Sequence, residues 1–150
     1  MSTTGLAVFD STIEKTNVWL NEIMERMGWT ERHRAYHALR AVLHALRDRL
    51  TVTEAADLGA QLPLLIRGIY YEGWHPSGKP VKERKKEQFL AHIREAFRDD
   101  PDVDVEAIVR AVFQVMAKHI TPGEIEDVQR MLPAEIRELW ETPPRSLWGL

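Results

Sequence analysis

The chain of 150 residues has no cysteine, which removes disulfides, thiolate metal sites, iron–sulfur clusters and cysteine nucleophiles together. It also lacks any stretch approaching the roughly eighteen unbroken apolar residues of a membrane span. The start, MSTTGLAVFDSTIEK, has no basic leader before an apolar run. Export and membrane insertion are therefore not expected, and the expected location is cytoplasmic. Excess positive charge is missing too, since the net charge is −3. A domain that holds nucleic acid by its overall field is usually strongly basic, which leaves only a local patch for that role. The hydrolase elbow, the phosphate-cradling glycine loop and the HExxH zinc motif are all absent. No residue earns a catalytic assignment, and no cofactor is expected. Alternating strand patterns bounded by turns are lacking as well.

What is present is a repeat. The hexapeptide LPLLIR, Leu62 to Arg67, returns seventy positions later as LPAEIR, Leu132 to Arg137. The same ungapped shift lays Trp19–Tyr70 over Phe89–Trp140 with 13 of 52 positions identical, where average residue usage gives roughly three or four by chance. Leu20, Ile23, Glu25, Arg40, Ala41 and Val42 all meet their like, as do seven residues from Thr51 to Arg67. Duplication is the economical reading, and two repeats folded as one unit is its structural meaning.

Each half reads as helices. Phe9, Ile13, Thr16, Leu20, Ile23, Met24 and Met27 recur at steps of three and four and end near Gly28. Thr30 is placed to cap a second helix, whose Ala35, Leu39, Val42, Leu43, Leu46 and Leu50 share one face. Thr51-Val-Thr-Glu54 and Thr121-Pro-Gly-Glu124 both have the form of a capping box. Pro63 and Pro133 then break the third helix of each half into two short pieces, because proline removes a helical hydrogen bond and clashes with the preceding turn. Arg67 and Arg137 are expected either to pair with Asp57 and Asp127 across that bend or to stand as independent surface charges.

The second half supplies helices near 82–98, 103–119 and 122–141. The expected fold is thus all-α: two tandem pseudo-symmetric three-helix repeats packed as one helical bundle domain. Repeat one covers about 9–74, a loop with Gly73, Pro76, Gly78 and Pro80 supplies the linker at 75–81, repeat two covers about 82–141, and a tail follows at 142–150.

The run AYHALRAVLHALRDRLTVTEAADLGAQLPLLIRGIYYEGWHPSGKP, with its LPxxIR and GWxP combination, resembles the bacterial domain-of-unknown-function family 2267 over about residues 9–141. The resemblance implies an all-α bacterial domain and carries no activity with it.

His33, His37 and His44 lie on one helix face, with Asp48 a turn beyond, and imidazoles four residues apart can share a zinc ion. The stripe is opposite the apolar one, so solvated histidines are the default and no metal site is assigned. Asp100-Pro-Asp102-Val-Asp104 imitates a calcium loop but has Val105 and Ala111 where that loop needs glycine and glutamate. Acid before a helix is explained by capping.

Lys79, Lys82, Arg84, Lys85 and Lys86, offset by Glu83 and Glu87, make a local basic patch suited to phosphate, nucleic acid or an acidic partner. Among the five tryptophans, Trp19 and Trp140 align with apolar residues and read as core, whereas Trp29, Trp74 and Trp148 adjoin turn residues and read as interaction candidates, Trp148 together with Leu147 in an apolar tail hook. The leading expectation is a cytoplasmic bacterial protein-interaction module without catalytic activity, binding an unidentified protein or itself. The alternative is anion or nucleic-acid binding through 79–86.

Overall fold

The first apolar stripe becomes α1 (Ala7–Met27), closed by Gly28 at φ 68°, a left-handed turn that glycine adopts without steric cost. That turn lets the Trp29 amide donate to the Met24 carbonyl at 2.9 Å. The computed structural model describes residues 3–141 and is built of helices alone among them. After α1 come α2 (Arg32–Arg47), α3 (Val52–Gln61), α4 (Leu64–Tyr71), α5 (Lys86–Ala96), α6 (Val105–His119), α7 (Pro122–Met131), α8 (Ala134–Arg137) and a 3₁₀ turn, Glu138–Trp140. Leu147 and Trp148 lie outside the described residues.

α2 and α6 form the middle of the bundle. They pack on each other, α1 lies against both, and α5 does the same from the other side. Leu39, Val42, Leu43 and Leu46 of α2 and Ile108, Val112, Phe113 and Met116 of α6 are fully buried in one cluster that draws on both halves of the chain. Each such side chain contributes roughly 1.5–3 kcal/mol relative to exposure. That shared cluster is why the halves fold against each other.

Local chemistry sets most of the helix ends. Thr51 and Thr121 accept from the amides of Glu54 and Glu124, at 3.2 and 3.4 Å, and Asp104 accepts from Ala107 at 3.1 Å. Two expectations need correction here. Thr30 does not cap α2: Glu31 is the residue before its first turn, and the Thr30 amide and hydroxyl both donate to Glu31 Oε2 at 2.9 Å. The second half of each capping box does not form either. The carboxylates of Glu54 and Glu124 turn toward the packed faces of α3 and α7, where a buried Oε1 of each has no hydrogen-bond partner.

The packing explains the repeated hexapeptide. Its leucine (Leu62, Leu132) and isoleucine (Ile66, Ile136) are buried, and its proline caps the next short helix in extended backbone. The break frees the last carbonyls of the preceding helix, which must find other donors. Arg67 donates to Leu62 O at 3.0 Å and Ala60 O at 3.4 Å, and Arg137 to Gln129 O at 3.0 Å and Leu132 O at 2.8 Å. The expected pairing with Asp57 and Asp127 does not form: neither arginine makes an ion pair with a described carboxylate, and each donates to nearby carbonyls instead.

The linker is irregular from Glu72 to Lys85 and is held by two buried arginines of the α2 end. Arg47 donates to the carbonyls of Tyr70 and Glu72 at 2.7 and 2.8 Å. Arg49 donates to Glu83 at 2.7 Å and lies over the Phe89 ring. The Val81 amide, in turn, donates to Asp48 O at 2.9 Å.

Candidate functional site

The proline break at Pro63 ends α3 beside the middle of α1, and the mismatch leaves a groove of about 440 Å³. Trp19, Leu62, Pro63 and His119 are among its lining residues, with Val18 and Leu64 at its edge. Val18 is 44% exposed and Leu64 50%, and the adjoining Leu65 is 43% exposed. The Leu65 amide donates to Thr12 Oγ1 at 2.8 Å, which pins α4 against α1. Lys15 and Arg67 line the same groove, and Lys15 pairs with no described carboxylate.

Behind the groove stands a fixed polar cluster. The Trp19 ring stacks on His119 at 5.3 Å, and His119 Nε2 meets Glu22 Oε2 at 2.9 Å. Lys118 Nζ reaches the other oxygen of Glu22 at 2.9 Å. Burial alone would raise the Glu22 carboxyl, but the hydrogen bonds from Lys118 and His119 outweigh it and hold the group below its ordinary range. Trp19, which lines the groove, is held by that stacking and is only 2% exposed.

A second concavity, of about 280 Å³, lies between α2, the linker and α5. It is lined by His37, His44, His92, Arg40, Glu83 and Glu95 among others. The histidine stripe divides here. His33 and His37 meet Nε2 to Nε2 at 2.9 Å, edge to face. His44 is half buried and turns away, its Nε2–H donating to the Ile69 carbonyl at 2.7 Å. Burial, then the charges of Arg47 and Arg40, press the His44 imidazole below its ordinary value, so it is held neutral as a structural donor.

The remaining expected residues are dispersed. Trp29 is half buried, tilted against Phe97 at 6.1 Å and covered by the Arg34 guanidinium at 4.3 Å. Trp74 packs on Tyr71 at 5.4 Å, and its buried Nε1 has no partner. In the basic patch Lys86 is neutralised, pairing with Glu138 at 3.0 Å and Glu106 at 3.4 Å. Lys79, Lys82, Arg84 and Lys85 pair with no described carboxylate and follow the extended linker.

Sequence reasoning missed one constellation. Glu54 and Glu124, one from each half, face each other where α3 packs on α7, and a carboxylate oxygen of each lies within 4.8 Å of one from Asp127. Burial first, then Glu54, Asp127 and Asp57, push the Glu124 carboxyl up to about 7. The available signal was the spacing TxxExxD, present at Thr51–Asp57 and again at Thr121–Asp127, which sets two acids three residues apart on one helix face.

The family described as uncharacterised conserved protein DUF2267 matches residues 16–139 of this chain. Among curated proteins, none matches it.

Proposed function

We propose, for a chain that belongs to the uncharacterised DUF2267 family, that its work is to bind a partner protein in the cytoplasm of a bacterium rather than to transform a substrate. The observation that carries this reading is the groove beside Pro63, where exposed Val18 and Leu64 line the same hollow as the unpaired Lys15 and the buried Trp19. An apolar strip with a cationic edge suits an amphipathic helix that carries acidic residues beside its apolar anchors. Monomeric proteins seldom leave such aliphatic residues together without use.

A photo-crosslinking side chain placed at Leu64 tests this. It should capture a partner through an acidic amphipathic segment, and Val18→Asp should abolish that capture without moving the melting temperature, since Val18 is exposed. No capture from Leu64, or capture unaffected by Val18→Asp, would overturn the reading. One observation favours a second reading: the four unpaired cations along the linker suit an anionic ligand such as nucleic acid. Capture from position 82 instead, falling steeply with salt, would select it.

A further inference from the structure

Away from the groove, unpaired acidic chemistry gathers at the seam between α3 and α7. Each helix begins with a capping threonine, and each places a glutamate at its third position and an aspartate three residues on. Because α3 packs on α7, the two glutamates meet at the contact. No described lysine, arginine or histidine pairs with Glu54, Glu124 or Asp57, and Asp127 has only the exposed Arg130 at 3.0 Å.

Glu54 is the telling residue. It is 7% exposed, it sits inside a group whose ligand oxygens lie within 4.8 Å of one another, and its Oε1 is fully buried without a partner. The Glu124 Oε1 is in the same condition. Burying an uncompensated carboxylate is costly, and burying two side by side is costlier, so such a pair persists only with a proton or a cation between its members. The ordinary capping-box role does not account for the geometry, since neither glutamate returns to its threonine amide.

Two features favour the cation over the proton. Three carboxylates converge where a shared proton needs only two. Oxygens around a Ca²⁺ ion sit at roughly 2.3–2.6 Å from it, so its ligands lie up to about 5 Å apart, which the cluster satisfies. An all-oxygen, all-carboxylate donor set without nitrogen or sulfur selects a hard ion. We propose that Glu54, Glu124 and Asp127 form a site for a hard divalent cation, completed by water on the exposed side, which clamps α3 of the first half to α7 of the second.

The experiment uses the full chain stripped with chelator, titrated with Mn²⁺ by electron paramagnetic resonance and with Ca²⁺ and Mg²⁺ by calorimetry. Expected is one saturable equivalent, with a rise in melting temperature that matched sodium chloride does not reproduce. Glu54→Gln removes a buried charge and should melt no lower than the stripped wild type, yet bind the cation at least ~10-fold more weakly. If that variant fails to fold, the exposed Asp127→Asn supplies the same readout. Absence of saturable binding at millimolar cation would assign the pair to a shared proton and overturn the proposal. So would cation binding undiminished in these variants.

Discussion

Replacing Arg137 and Arg67 with methionine tests the account of the repeated hexapeptide most directly. Arg137 donates to Gln129 O at 3.0 Å and Leu132 O at 2.8 Å, and Arg67 to Leu62 O at 3.0 Å and, weakly, to Ala60 O at 3.4 Å. A hydrogen bond from a charged donor is worth ~1.5–3 kcal/mol when its partners stay dry. These carbonyls lie at helix ends that water can reach, so about 1 kcal/mol per arginine is the expected cost. Methionine keeps much of the apolar stem, which isolates the polar loss.

In urea titrations each variant should shift the midpoint without changing the slope, and its melting temperature should fall by ~2–4 °C. Arg137→Lys should recover only part of the loss, since an ammonium lacks the planar fork that reaches two carbonyls. The decisive control is a double-mutant cycle between Arg67 and Asp57. The structure requires a coupling energy within about 0.5 kcal/mol of zero. A coupling above ~1 kcal/mol, or arginine substitutions that cost nothing, would refute the carbonyl-closing role.

Two further outcomes follow from the packing. A Cβ added at Gly59 would overlap the Tyr71 hydroxyl, whose ring is wedged between Tyr70 and Trp74. Gly59→Ala should therefore destabilise by ~1–3 kcal/mol through overpacking, against a helix-propensity gain of only about 1 kcal/mol. In a Tyr71→Ala background the same change should become neutral or stabilising, and a persistent loss there would discard the steric explanation. Glu22 supplies a pH dependence: its folded carboxyl lies below the ordinary value of 4.5, so its contribution is present above that pH and lost as pH falls through the lowered folded value. Comparison of Glu22→Gln with wild type by denaturant titration should show a wild-type advantage near neutrality that vanishes in acid; parallel curves at every pH would remove the Lys118–His119 clamp.

The sequence by itself determined what depends on neighbours along the chain. The stripe ending at Gly28, the caps at Thr51, Thr121 and Asp104, and the breaks at Pro63 and Pro133 all rest on three- and four-residue spacings, and all stand in the structure. Family membership was legible for the same reason. Where local rules offered competing partners, the reading missed: Thr30 lost its helix to Glu31, and Arg67 and Arg137 chose carbonyls over aspartates. Only the tertiary structure decided what rests on residues distant in the chain. Arg47 and Arg49, charged residues in a charged stretch, are buried because the linker folds across them and supplies their acceptors. Glu54 and Glu124 each looked like half of a capping box, and became a desolvated pair only when α3 met α7. Periodicity along a chain reports which face of a helix is apolar, but it carries no information about which other helix will lie against that face.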